Sequence, residues 1–385
     1  MGQPVWADQL VPIEIREKDT GMDPFSKLKG DDEYGSVECA RKRSFERISA
    51  TAELLFAAQQ RVFLFMLLVI GRRFRILRWD RAGVIFTPSV DYVEHPSILR
   101  DFLWRVSHLT DTDIGLDPTV TRVLPGDVDF LRMDLAALKK PSDVSHVERE
   151  LESAEVKEPL VFDYVRSLFR ISIGGDWPRY KLQVSDGTAS RDYLVGKPTF
   201  RAPGAVGRGT RGYVALDCKT RRFVWLKDTW RASYMIPHAE GDVLQKLNAV
   251  GIDNVPTLVC HGDVGDQVTV SGDWWERKTP VQATPLSSSS SGSPDSSHTI
   301  PVPTSPGSKK RKRANATHAD QQPQQGDSVP NATIDSDHPL RIHRHYRIVV
   351  EEVGLPLKNF QYGRQLAYVV LHCLRGKIVT SLIAR

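Results

Sequence analysis

The sequence predicts an α+β chain in which folded regions flank a long disordered insert. Three observations predict this. Helical and strand periodicities alternate from about residue 41 onward. From Thr279 to about His338 the apolar periodicity stops, and serine, proline and glutamine dominate. Apolar periodic sequence then resumes at Arg341, so the insert interrupts a fold. The chain has 385 residues, 40% of them apolar and 26% charged. That supplies a sizeable core, fits about two domains, and excludes a fully disordered chain.

The expected organisation is an accessory α+β domain over 1–160, a strand-rich region over 161–278, the insert over 279–338, and a closing strand and helices over 339–385. In the first region Arg41–Arg61 reads as a helix with Phe45, Ile48, Ala52 and Leu55 on one face. Val62–Ile70 reads as a buried strand ended by Gly71. Arg73–Trp79 and Gly83–Thr87 read as a hairpin across Asp80-Arg81-Ala82. Ser97–His108 reads as a helix capped by Ser97 after Pro96, with an inner stripe of Ile98, Leu99, Phe102, Leu103 and Val106. Asp143–Lys157 reads as a charged, solvated helix. Short strands are expected from Tyr164 to Leu226. The insert holds Ser287–Ser291, a glutamine-rich patch at Gln321–Gln325 and a basic run. Such a composition cannot bury enough apolar surface to offset the entropy of ordering.

The formal charge is +5, from 52 basic and 47 acidic residues. That excess alone does not argue for a nucleic-acid partner, a reading that rests on one basic cluster and a pI near 8.9. Cys39, Cys218, Cys260 and Cys373 are far apart, which argues against a disulfide framework or a cysteine zinc site and for a reducing compartment. The longest apolar run, Val62–Ile70, is well short of the about 20 residues a membrane span needs. The N-terminus shows no secretory pattern. The expectation is an intracellular protein, nuclear or cytoplasmic, with no membrane partner.

Gly207-Arg208-Gly209-Thr210-Arg211-Gly212-Tyr213-Val214 fits G-x-G-x-x-G-x-V. A backbone that approaches phosphate oxygens closely carries no side chain at the approach points, and glycine also permits the dihedrals of a tight turn. An ordinary glycine-rich hairpin gives the same pattern. A dinucleotide fingerprint needs a helix after the glycines. Here Tyr213–Asp217 reads as a strand, followed by a turn and a second strand, Arg222–Lys227. That order is the protein-kinase arrangement. Lys227 ends an apolar strand and shares a face with Trp225 and Phe223. It is placed to contact α/β-phosphates, or equally to be a strand-end lysine reaching for water. Pro237–Leu247 reads as a helix in which Glu240 shares a face with Val243, Leu244 and Leu247. Tyr346–Val350 reads as an apolar strand running into Glu351-Glu352-Val353-Gly354.

The run Gly207 through Lys227-Asp228-Thr229-Trp230-Arg231, then Asn254-Val255-Pro256, then Val350–Gly354, resembles the fungal-type protein kinase family. Arg75–Gly83 and Phe102-Leu103-Trp104-Arg105 resemble that family's N-terminal region. The resemblance implies a protein-kinase-like N-lobe, an antiparallel sheet plus one helix, after the accessory domain, with the start of a C-lobe at the end. It implies ATP as cofactor. Gly207, Gly209 and Gly212 cover its phosphates, with Val214 beside them, and Lys227 holds α/β-phosphates and pairs with Glu240. Glu351 and Val353 lie at the hinge, and Val350 is gatekeeper-like. The family activity it implies is phosphorylation of protein Ser/Thr.

Phosphoryl transfer also needs an aspartate to accept the hydroxyl proton and ligands for Mg²⁺, supplied by H-R-D-x-x-x-x-N and D-F-G. Neither motif occurs in the 385 residues. No catalytic and no metal-binding residue is therefore assigned, and ATP binding is expected to be weak or vestigial. Trp225 stands where kinases usually carry alanine against the adenine. Gln365–Leu374 has the stripe of the first long C-lobe helix, and Lys377–Arg385 departs from the family pattern. Gly376-Lys377 is what a splice donor read in frame encodes, so a gene model truncated before the catalytic loop is one explanation and a true end the other. The alternative function is a non-catalytic nuclear pseudokinase or scaffold. Lys309, Lys310, Arg311, Lys312 and Arg313 form a run suited to an acidic import carrier. Glu14 in Pro12–Arg16 has the look of a nuclease strand's metal ligand, with arginine in place of lysine and no partner aspartate.

Overall fold

The computed structural model describes residues 6–17, 23–26, 36–145, 161–232, 238–272, 342–360 and 362–383. The chain divides into two units, Met1–Lys278 with Pro339–Arg385, and Thr279–His338. Every element below belongs to the first unit. The expected insert with its basic run Lys309–Arg313, and residues 146–157 of the expected charged helix, lie outside the described residues.

The fold is mixed α+β, with two sheets among the described residues. The first runs β1 (Ile13–Arg16), β2 (Leu64–Ile70), β3 (Arg73–Asp80), β4 (Gly83–Phe86), with β5 (Val90–Asp91) also on β3. Strand β2 alternates, so Leu64, Met66, Leu68 and Ile70 face one way. They meet Ile48, Ala52, Leu55 and Phe56 of helix α1 (Ser36–Ala58), with Leu77 and Trp79 of β3. The β3–β4 turn is closed by Asp80, whose Oδ1 accepts the Ala82 and Gly83 N–H groups at 2.8 and 3.2 Å.

Helix α2 (Pro96–Val106) departs from expectation in two ways. His95 precedes it, Pro96 opens it, and no side chain caps it. Proline's fixed φ already suits the first helical position, which moves the cap ahead of Ser97. The expected inner stripe is not inner. No residue of α2 is buried, and Ile98 and Leu103 are 45% and 46% exposed.

The second sheet runs β12 (Leu258–Val268), β13 (Arg344–Val350), β11 (Phe223–Arg231), β10 (Arg211–Asp217), β8 (Ser190–Val195), β7 (Arg179–Ser185), β6 (Val120–Val123), with β9 (Phe200–Arg201) also on β10. Every pairing in it is antiparallel. Its edge strand β6 comes from before residue 160, so the sheets do not divide there. Tyr164 opens a helix, α4 (Asp163–Ser172), where strands were expected. Val165, Arg166, Phe169 and Ser172 are its buried positions, and the spacing of four and three from Val165 to Phe169 to Ser172 is the helical period.

One face of this sheet buries Tyr180, Leu182, Tyr193, Tyr213, Ala215, Val224, Leu226 and Val349 together. The C-terminal end of α1 docks on that side. Ala58 O accepts from Tyr180 Oη at 2.8 Å, and Gln60 Nε2 donates to Tyr213 Oη at 3.1 Å. The opposite face packs α3 (Val128–Ala137) and α4 over Val214, Leu216 and Val353. Helix α5 (Glu240–Ala249) lies over Tyr346, Ile348 and Val350 on that face. A long helix, α6 (Gly363–Ile383), contains the expected stripe Gln365–Leu374 and runs on beyond it. Among the described residues no helix is long and apolar enough to cross a membrane.

Candidate functional site

Strand β11 builds the site by alternation. Phe223, Trp225 and Lys227 point to the helix-covered face, while Val224, Leu226 and Asp228 point to the other. Lys227 Nζ donates to Glu240 Oε2 at 2.5 Å. Glu240 is delivered by the first turn of α5, and Gly241 sets how closely that turn approaches. A Cβ on Gly241 would lie 2.0 Å from the His261 ring, and the Gly241 N–H donates to Tyr346 Oη at 2.9 Å. Asp242 Oδ2 closes the turn by accepting the Ala239 N–H at 2.9 Å. The Lys227 and Glu240 side chains remain 26% and 47% exposed, so water screens their attraction and the pair adds little to stability.

The glycine segment is a hairpin between β9 and β10. Thr199 N–H donates to Gly212 O at 2.8 Å and Ala202 N–H to Thr210 O at 2.9 Å. It leads into a strand, not a helix. Gly207 and Gly209 adopt φ +108 and +50, conformations that glycine takes at little cost. Their surroundings come from the chain itself. Arg81, from the β3–β4 turn, donates to Ala205 O at 3.0 Å, and its own carbonyl accepts the Gly207 N–H at 2.8 Å. A Cβ on Gly209 would lie 2.6 Å from the Arg81 guanidinium. Burial first, then Arg211 beside it, pushes that guanidinium down to about 9. A Cβ on Gly212 would lie 2.3 Å from the Trp225 ring.

At the far end of the face, Val350 pairs with Trp225 and with Leu258. Glu351 is exposed, and its N–H donates to Thr257 O at 2.9 Å. Val353 is buried among α4 and β10 residues, and its carbonyl accepts the Tyr164 hydroxyl. Burial raises the Tyr164 phenol. Of the sequence-predicted residues, the structure joins Lys227 to Glu240 and packs Val214 with Val353. It does not gather Gly207 and Gly209 with them, because both lean on Arg81. Glu14 pairs with Arg16 at 2.6 Å. Among the described residues no group of three or more His, Cys, Asp or Glu is arranged to hold a metal ion.

Asp228 and its partners were missed by sequence reasoning. Asp228 Oδ1 accepts from Arg211 Nη2 at 3.0 Å and meets His345 Nε2 at 3.1 Å, and Oδ2 accepts from Arg347 Nε at 2.9 Å. Arg347 also reaches Asp117 Oδ2 at 2.5 Å, Thr119 Oγ1 at 2.8 Å and Gln183 O at 2.7 Å. Burial raises the Asp228 carboxyl, but Arg211, His345 and Arg347 outweigh it and hold it well below the carboxylate range. The signal was in the alternation. A charged residue on the face of Val224 and Leu226 is buried and therefore paired. Each residue of the phrase 227–231 is thereby occupied. Thr229 Oγ1 meets Thr210 Oγ1 at 2.9 Å, Trp230 stacks on His345 with ring centres 4.6 Å apart, and Arg231 Nε and Nη2 both bond Asp263 at 2.9 Å.

No curated protein and no solved structure matches the chain. A family model does, and it is described as fungal protein kinase. The match runs through Lys377–Ile383, where the sequence reading placed a departure from the family. With a lysine–glutamate pair behind a glycine hairpin and a match covering residues 34–383, the chain belongs to the fungal protein kinase family.

Proposed function

We propose that the second sheet with α5 is a protein-kinase-like N-lobe carrying half of a nucleotide site, and that these 385 residues do not transfer phosphate. The observation that carries the reading is the 2.5 Å contact of Lys227 Nζ with Glu240 Oε2, the pair that orients a phosphate-binding lysine in kinases. In this reading Lys227 is the phosphate contact, Glu240 positions it, and residues 350–354 are the hinge. The family uses ATP and Mg²⁺. ATP does not fit the residues as they lie, because the Trp225 ring rests on Gly212 and Tyr164 holds the Val353 carbonyl. H-R-D and D-F-G, which supply the proton acceptor and the metal ligands, are absent from the sequence.

The chain then acts by binding other proteins, as a non-catalytic member of a kinase family. The basic run Lys309–Arg313 supports nuclear import as part of this reading. The test is incorporation of labelled γ-phosphate from Mg·ATP into a generic Ser/Thr protein substrate by the purified chain. No incorporation is expected. Incorporation that Lys227→Met abolishes would refute the non-catalytic reading.

A further inference from the structure

We propose that helix α4 and Trp225 are a built-in occupant of the nucleotide face, and that an adenine nucleotide enters only when α4 leaves the hinge. The proposal rests on the half-site reading above and concerns how that site is regulated.

Three contacts fill the face from end to end. At the hinge, the Tyr164 hydroxyl donates to the Val353 carbonyl, and Val353 is only 7% exposed under α4. In the middle, Trp225 sits between Val214 on one neighbouring strand and Val350 on the other. It packs against both the α4 cluster and the α5 cluster. At the phosphate end its ring lies against Gly212, two residues along the same face from Lys227. Trp225, partly exposed, thereby occupies the strip that a planar base would take between hinge and lysine.

Helix α4 is seated by the buried Val165 and Phe169 and clamped by further discrete contacts. The Phe169 and Phe223 rings are 5.0 Å apart. Arg166 bonds Asp143 through Nε at 2.6 Å and Nη2 at 2.8 Å, and Ala136 O at 2.5 Å, which couples α4 to α3. The α3–α4 pair buries Met133, Ala137, Val165 and Phe169 against the sheet but leaves a second apolar row in water. Val128, Leu131 and Leu135 of α3 are 73%, 58% and 65% exposed, and Ile171 of α4 is 67% exposed. An element that leaves an apolar row in water gains less from its seat than one fully packed. Gly174 and Gly175 follow the C-cap residue Ile173, and Gly175 at φ +68 has open space around it. The last residue of the helix is held by the Lys197 N–H, which donates to Ser172 O at 2.7 Å, so any movement of α4 pivots beyond that bond, at Gly175.

If the competent state is the minor one, apparent affinity falls in proportion to its population. The test is titration of the full chain with N-methylanthraniloyl-ATP, alongside amide hydrogen exchange of residues 163–172. The variants are Tyr164→Phe, the double variant Tyr164→Phe/Trp225→Ala, and that double variant with Lys227→Met, each checked for a cooperative melt. The double variant is expected to bind about tenfold or more tightly than the native chain and to exchange faster in α4. Tyr164→Phe alone, which keeps the ring, is expected to move both readouts the same way. Adding Lys227→Met is expected to remove the gain. A native chain that binds as tightly as the double variant while α4 stays protected would overturn the proposal and leave the half-site reading standing. Faster exchange with no nucleotide binding in any variant would overturn both. A folded Tyr164→Phe with neither change would overturn the role given to the hinge contact.

Discussion

Asp228 Oδ2 and Arg347 Nε meet at 2.9 Å with no exposed surface on either side chain. Arg347 also reaches Asp117, from the segment leading into β6. One carboxylate thus ties the strand that bears Lys227 to two distant parts of the chain. Removing it leaves Arg211 and Arg347 buried with one partner fewer, and breaking a buried pair costs about 3–5 kcal/mol. Asp228→Ala is expected to lose that much in urea unfolding. Lys227→Met, one residue away on the opposite face and with its side chain partly exposed, is expected to change stability by less than about 1 kcal/mol. Equal effects of the two substitutions would contradict the division of faces.

The same network fixes an acid limit. Burial raises Asp228 and Asp117, but Arg211, His345 and Arg347 hold Asp228 down, and Arg347 and His345 hold Asp117 down. Both carboxyls therefore titrate lower in the folded chain than the about 3.9 of an unfolded aspartate. The unfolded chain binds more protons in that range. Stability is present above the unfolded value and is lost as pH falls through the folded values. Urea midpoints measured from pH 7 to pH 3 should be level to about pH 4 and then drop. In Asp228→Asn the drop should be shallower. An unchanged slope in that variant would show that Asp228 is not one of the groups responsible.

What the sequence made legible was local. Lys227 and Glu240 are thirteen residues apart and lie on elements whose periods are plain, so strand alternation and helix spacing bring them together. The hairpin nature of the glycine segment followed from Tyr213–Asp217 being apolar and strand-like. The Asp117–Arg347 contact spans 230 residues, and nothing in local spacing announces a partner so remote. Helix α4 was misread because its apolar residues sit beside a strand-rich region and its helical period spans under three turns. Helix α2 shows the opposite failure. Its stripe is periodic, but periodicity states which residues share a face, not that a partner covers it.

Gly209 separates two explanations of a glycine. If it is glycine only for access to phosphate, a methyl group there leaves the unliganded chain intact apart from backbone strain. In the structure the added Cβ would sit 2.6 Å from Arg81 Cζ and Nε. Gly209→Ala is expected to destabilise by about 1–3 kcal/mol through strain and overpacking. Combined with Arg81→Ala, which also removes the bonds to Gly204 O and Ala205 O, the two losses should not add. A coupling of about 0.5 kcal/mol or more in the double-mutant cycle marks direct contact. Additive losses would mean that Arg81 does not determine the residue at 209.

Gly241 offers the sharpest test of how the Lys227–Glu240 pair is positioned. The helix turn that carries Glu240 rests on the His261 ring, 2.0 Å from where a Cβ would stand, and is fixed from below by the Tyr346 hydroxyl at 2.9 Å. Among the described residues neither His261 nor Tyr346 hydrogen-bonds Lys227, whose partner is Glu240, so both act through helix placement. Gly241→Ala is expected to push α5 outward and cost about 1–3 kcal/mol. It should also break the lysine contact. Measured by the Lys227 ammonium NMR signal, the variant should resemble Glu240→Gln. His261→Ala makes room for the new methyl group, so Gly241→Ala/His261→Ala should recover both stability and the Lys227 signal. Recovery of stability without the signal would mean that packing at Gly241 seats the helix but does not aim its glutamate.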